Sequence, residues 1–243
     1  MDKERNLDKL NDFVVIGAGR LGRSVATHLF SHGKEVLVID KNQTNVNMLN
    51  GKVSTAVTTD AISVDVLHSL GVQNFDCAIV CITTDLESSL LVCQNCKDLG
   101  VGYLIACAQS EQHGKILESL GIDMIIYPEE FVGKKLATLL ANPGINELTE
   151  LTDEFKIFEF KLPVAWEDKV ISEVNMRKKY KLSIVFIKRG EEVFYPEPEF
   201  KFQAGDSLVV AGESSKINAI VKLINNASDV AEQLNAIFND DEA

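Results

Sequence analysis

Residues 13–40 read FVVIGAGRLGRSVATHLFSHGKEVLVID, and the order of parts in this stretch decides the fold. Phe13-Val14-Val15-Ile16 is an apolar, β-branched run suited to a strand buried on both faces. Gly17, Gly19 and Gly22 follow in G-x-G-x-x-G spacing. Gly17 serves the tight turn out of the strand, Gly19 lets the backbone approach a phosphate, and Gly22 lets the following helix pack on the strand. Leu21, Val25 and Leu29 give that helix an apolar face. A second strand, Val36 to Ile39, ends in Asp40, 18 residues after Gly22, where a carboxylate can accept hydrogen bonds from ribose hydroxyls. A lone glycine motif also arises in ordinary turns. Strand, glycines, helix, strand and acid in this order predict a mononucleotide-binding βαβ unit.

The pattern continues downstream. Asn42 to Asn50 reads as a short helix, and Ser54 to Thr58 as a third strand ending at Thr59-Asp60-Ala61. Asp60 is either the N-cap of the next helix or a contact at a nucleotide base. A helix ending in Leu-Gly then precedes an apolar strand three times: Leu70-Gly71 before Cys77–Ile82, Leu99-Gly100 before Tyr103–Ala106, and Leu120-Gly121 before Met124–Ile126. Glycine past a helix end takes the left-handed conformation that closes it. Six strands alternating with helices, joined by right-handed crossovers, predict an α/β doubly wound parallel sheet. Its ligand is expected at the C-terminal strand ends where strand order reverses. Thr83, Thr84, Cys107 and Glu129, at strand ends, and Lys41 beside Asp40 join the glycine turn as candidates.

A helix from Phe131 to Ala141 stops before Asn142-Pro143-Gly144, a strong breaker. The nucleotide-binding domain is therefore placed at residues 13–145, after a polar lead-in at 1–12, and a small α+β domain at 153–225. In the latter, strands are expected at Phe155–Phe160, Leu182–Ile187, Glu192–Tyr195 and Ser207–Val210. Helices are expected at about Val170–Lys179 and Ser215–Asn225. Residues 226–243 form an acidic tail with the spacing of an amphipathic helix.

A net charge of −12, from 24 basic and 36 acidic residues, opposes a general affinity for nucleic acid or anionic lipid. No run of about 18 apolar residues occurs, so no membrane span is expected. The charged start, MDKERNLDKLND, lacks the apolar core of a signal peptide, which predicts a cytoplasmic protein. All five cysteines lie between Cys77 and Cys107 and are expected as buried free thiols.

A dehydrogenase built on this unit needs an acid or base facing the cofactor. Of His28, His32, His68 and His113, only His113 follows a strand near the expected crevice, and the small domain has neither histidine nor cysteine. Cys93-Gln94-Asn95-Cys96 has redox or zinc spacing but lies mid-helix with no second ligand pair, so packing is its expected role. Arg20, between the second and third glycines, is either a solvated side chain or a bidentate partner for phosphate oxygens at the helix N-terminus. A cation there suits a terminal phosphate, so ATP or ADP competes with NAD as ligand.

Gly17-Ala18-Gly19-Arg20-Leu21-Gly22, Asp40, the Thr59-Asp60-Ala61 junction, Tyr127-Pro128-Glu129 and the ending Gly205-Asp206-Ser207-Leu208-Val209-Val210-Ala211-Gly212 stand in the order of a known family. Over residues 12–225 the chain resembles the RCK family, cytosolic regulators of bacterial potassium channels and transporters, in its stand-alone KtrA/TrkA-like branch. The resemblance implies a Rossmann-type homodimer that binds ATP, ADP or NAD(H), assembles into a ring, an octamer, and acts on a membrane potassium subunit from the cytoplasmic side. It implies that Asp40 holds the ribose, the glycine-turn amides the phosphates, and Arg20 the terminal phosphate. It also implies Glu129 at the dimer interface, sharing a divalent cation, and a small domain that in some relatives binds cyclic di-AMP, for which Arg177, Ile184 and Pro196 are candidates. Cys107 stands where the family often carries a basic residue, which removes one expected phosphate contact. The alternative is an NAD-dependent oxidoreductase using the same crevice.

Overall fold

The computed structural model describes residues 10–141, 144–152, 154–216 and 220. The lead-in up to residue 9, most of the helix expected at Ser215–Asn225 and the acidic tail lie outside the described residues. The chain divides into two compact units, Met1–Phe131 and Val132–Ala243.

The first unit is a six-stranded parallel sheet of β1 (Asp12–Ile16), β2 (Glu35–Asp40), β3 (Thr55–Thr58), β4 (Cys77–Val80), β5 (Tyr103–Cys107) and β6 (Met124–Ile126). Strand order is β3-β2-β1-β4-β5-β6, so the winding reverses between β1 and β4. Helices α1 (Arg20–Ser31), α2 (Gln43–Asn47), α3 (Val64–Ser69), α4 (Leu86–Asp98) and α5 (Glu111–Ser119) connect the strands, and α6 (Pro128–Ala141) follows β6.

The continuous apolar run of β1 is explained by burial on both faces. Val14 and Ile16 pack with Leu67 of α3, Val92, Cys93 and Cys96 of α4, and Leu117 of α5. Phe13 and Val15 pack on the other face with Ala26, Val25 and Leu29 of α1. Val14, Val15 and Ile16 are all at most 1% exposed. Each such burial stabilises by roughly 1.5–3 kcal/mol, which fixes the strand whose C-terminal end carries the glycine turn. The three Leu-Gly ends behave as expected: Gly71, Gly100 and Gly121 have φ of 74°, 79° and 71°, left-handed closures of α3, α4 and α5.

Asp60 does not cap a helix. Its Oδ1 accepts the Ile62 N–H at 3.0 Å, a local turn that competes with helix nucleation, and α3 begins only at Val64.

The second unit contains β7 (Ile145–Glu150), β8 (Phe155–Lys161), β9 (Leu182–Arg189), β10 (Glu192–Phe194) and β11 (Ser207–Glu213). They form an antiparallel sheet in the order β10-β9-β11-β8-β7. Residues 145–150, read from sequence as the end of one domain and a linker, are thus a strand paired with β8. The helix expected at Val170–Lys179 is two short ones, α7 (Ile171–Val174) and α8 (Met176–Tyr180). Asn175 between them has φ 49°, a left-handed break that asparagine tolerates. Phe160, Trp166, Phe202, Leu182, Ile187 and Leu208 fill the core of this unit. At its edge the buried Asp206 pairs with Arg189 at 2.7 and 2.9 Å, while the guanidinium lies over the Phe194 and Phe200 rings.

Candidate functional site

A crevice of about 310 Å³ opens at the C-terminal ends of β1, β2 and β4, where the strand order reverses. Gly17 and Gly19 form one wall, and Asp40, Lys41, Asn42 and Asn45 a second. Thr59, Asp60, Ala61 and Ile62 follow β3, while Cys81, Ile82, Thr83, Thr84 and Asp85 follow β4. Ser88 and Val92 of α4 complete the lining.

The three glycines have distinct reasons. Gly17 has φ 100°, and a Cβ there would stand 2.8 Å from the Cys81 carbonyl oxygen. At Gly22 a Cβ would overlap the Gly17 carbonyl oxygen, so α1 can approach the turn only without a side chain. A Cβ at Gly19 meets nothing within 4 Å: the residue is exposed and its outer face is open. Gly19 is the N-cap of α1, and the orphan N–H groups of the first turn follow it, a ready seat for an anion.

Asp40 ends β2 with its carboxylate tied to backbone. Oδ2 accepts the Ala18 N–H at 2.5 Å and Oδ1 accepts the Asn42 N–H at 2.7 Å. Asn42 in turn caps α2 by accepting the Thr44 N–H at 2.8 Å. Across the crevice Asp85 caps α4, accepting the Ser88 hydroxyl at 2.5 Å and its N–H at 3.2 Å. Those bonds hold the Asp85 carboxyl below the usual carboxylate range, with Lys41 adding a smaller contribution of the same sign.

The structure brings Gly17, Gly19, Asp40, Lys41, Thr59, Asp60, Ala61, Thr83 and Thr84 to this crevice, as the sequence reading expects. Ala18 is buried behind the turn, Leu21 packs its side chain into the core beside α1, and Gly22 is the contact point just described. Arg20 is the exposed first residue of α1 and stands outside the lining. Glu129 is exposed in the first turn of α6. In the second unit Arg177 is exposed on α8, Ile184 packs against the core from β9, and Pro196 is half-buried after β10.

His113, expected near the crevice, is instead 1% exposed on α5 and absent from the lining. Its Nδ1 accepts the Gln109 N–H at 3.4 Å, and its Nε2 has no hydrogen-bond partner among the described residues. Burial pushes the imidazole below its ordinary value of 6.5 and keeps it neutral. Cys93 and Cys96 face the core from α4, and burial pushes both thiols up to about 12. Cys107 is fully buried with its Sγ 3.6 Å from Cys81 Sγ, on the α1 side of the sheet and outside the lining.

Sequence reasoning missed Asn42, Asn45, Asp85 and Ser88. The Asp85-x-x-Ser88 pattern after an apolar strand is a helix N-cap signal that could have been read. Asn45 carries no such signal, since it reaches the site only through the closeness of α2 to β2.

Residues 13–128 match the TrkA-N domain and residues 157–225 the TrkA-C domain. The Ktr system potassium uptake protein A of Bacillus subtilis (strain 168) is 35% identical over 210 residues, covering 86% of this chain and 95% of that protein. The Ktr system potassium uptake protein C of the same organism is 32% identical over 214 residues, covering 88% and 97%. Among solved structures, the GsuK RCK domain superposes with a TM-score of 0.60 at 19% identity, over 92% of this chain and 50% of that one. The GsuK channel bound to NAD superposes with a TM-score of 0.57 at 19% identity, over 92% and 41%. This chain therefore spans half or less of those solved chains, and the likeness to them is one of fold.

Proposed function

The chain belongs to the RCK family as a KtrA/TrkA-like member with TrkA-N and TrkA-C domains, and from that premise we propose that it is a nucleotide-sensing regulatory subunit of a potassium uptake system. The observation that carries the reading is the crevice at the strand reversal, whose lining Asp40 shares with Gly17 and Gly19 of the glycine turn. Its volume is at the lower end for small-molecule sites, which suits a base and ribose inside and phosphates over the first turn of α1.

In this proposal Asp40 holds the ribose, Asp60 with the neighbouring Thr59 and Ala61 meets the base, and the amides after Gly19 hold the phosphates. Arg20 and Lys41, both exposed, are the cations that would bind a terminal phosphate. ATP, ADP and NAD(H) are the candidate ligands; the GsuK channel, a fold neighbour, is bound to NAD. Nucleotide would act by differential binding, favouring one conformation of a homodimer within a ring that contacts a membrane subunit from the cytoplasm. Moving such a ring from 1:99 to 99:1 needs about 5.5 kcal/mol of differential affinity, a quantity several sites can share. A divalent cation at Glu129 and cyclic di-AMP near Arg177, Ile184 and Pro196 belong to the same proposal. The burial of His113 supports the regulatory reading over an oxidoreductase.

The test is potassium flux through membrane vesicles that carry the Ktr-type membrane subunit of the same cell, with and without this protein. Flux that depends on the protein and changes between ATP and ADP is expected. Steady turnover of NADH with a metabolite, abolished by His113→Ala, would overturn the proposal.

A further inference from the structure

The backbone of Ala18, between the first two glycines of the turn, is held on both sides. Its N–H donates to Asp40 Oδ2 at 2.5 Å, and its carbonyl accepts from Arg23 Nη1 at 2.8 Å. The same Arg23 nitrogen donates to Asn45 Oδ1 at 3.1 Å, and Asn45 Nδ2 donates to Asp40 Oδ2 at 3.4 Å, the weakest link. Ala18, Asp40, Asn45 and Arg23 thus form a closed ring of hydrogen bonds that spans the glycine turn, α1, β2 and α2.

This ring leaves Asp40 little to offer a ligand. A carboxylate has about four acceptor positions, two on each oxygen. Ala18 and Asn45 occupy both on Oδ2, and Asn42 N–H occupies one on Oδ1. Among the described residues one position is left open, on Oδ1, whereas a ribose presents two neighbouring hydroxyls. We infer that Arg23 and Asn45 are positioning residues that hold the Asp40 carboxylate so that it reads a single ribose hydroxyl. The inference rests on the nucleotide reading of the crevice and narrows it to a chemical preference: a ligand lacking one hydroxyl is accepted and its isomer is refused. Lysine at position 23 keeps the charge and loses the planar fork, so it does not restore the ring.

Calorimetry of the full chain against ATP, 2′-deoxy-ATP and 3′-deoxy-ATP tests this, with melting midpoints recorded without ligand. One deoxy analogue is expected to bind within about twofold of ATP and the other to lose about tenfold or more, the loss of one hydrogen bond to a charged group. Asn45→Ala opens a second position on Oδ2 and should shrink the gap between the two analogues. A purely structural role for Asn45 would move the melting midpoint and leave that ratio unchanged. Equal losses for both analogues, or an unchanged ratio in Asn45→Ala, overturns the inference while leaving nucleotide binding standing. Absence of binding by all three overturns the nucleotide reading and the inference with it.

Discussion

The Asp40 carboxylate accepts the backbone N–H of Ala18 at 2.5 Å, so the acid that faces the crevice also fastens the glycine turn to the end of β2. Ala18 is fully buried, and removal of the carboxylate takes away the hydrogen-bond partner of its N–H. Asp40→Ala should therefore lower unfolding stability by about 1–3 kcal/mol, the cost of an orphaned buried donor. Urea denaturation without ligand checks it, and an unchanged midpoint would refute the structural part of Asp40's role.

The glycines separate stability from binding. Gly22→Ala puts a Cβ into the Gly17 carbonyl and should cost about 1–3 kcal/mol as α1 is pushed away. Gly19→Ala meets open space and should cost under about 1 kcal/mol, that of a poorer N-cap. Its Cβ nevertheless stands where a phosphate would approach. Thermal melts with and without ATP should show Gly19→Ala folding normally with its ligand-induced stabilisation reduced.

Stability should fall in two acid steps. His113 is pushed by burial below 6.5, so as pH drops past 6.5 the unfolded chain takes a proton that the folded one refuses. Burial alone would raise the Asp206 carboxyl, but the bonds from Arg189 and the Gln203 N–H outweigh it and leave it below 3.8. Its contribution is whole above 3.8 and disappears as pH falls through the folded value. His113→Asn should flatten the first step alone. Asp206→Asn should reduce the second, which the lowered carboxyls of Asp76 and Asp85 share, and cost about 3 kcal/mol at neutral pH, because it leaves Arg189 without its charge partner. Denaturant midpoints measured against pH distinguish the two.

Cys93 and Cys96, raised to about 12 by burial, should behave as inert core thiols. At pH 8 a thiol reagent should modify them only after unfolding, and Cys93→Ser/Cys96→Ser should not change the zinc content of the purified protein. Rapid labelling of the folded chain would contradict the packing role.

The parallel sheet was legible because burial on both faces leaves a plain signature: apolar runs, the glycine spacing, and Leu-Gly at three helix ends. The crevice was legible for the same reason, since strand ends carry its residues and strand order sets its place. Local competition was not legible. Asp60 looks like a cap in sequence, yet it closes a two-residue turn. Val170–Lys179 has helical composition, but Asn175 takes the left-handed state in its middle. His113 follows a strand at a plausible distance from the site, but it lies on the buried side of α5, 1% exposed. Arg23 and Asn45 are invisible to pattern reading because their roles exist only once α1 and α2 lie beside the same peptide.

The most direct test of the central claim is calorimetric titration of the full chain with ATP, ADP and NADH, repeated on Asp40→Ala. At least one of the three should bind with a Kd below about 100 μM, and Asp40→Ala should weaken that ligand by about tenfold or more. No binding by any of them, or equal binding by both proteins, would contradict the account.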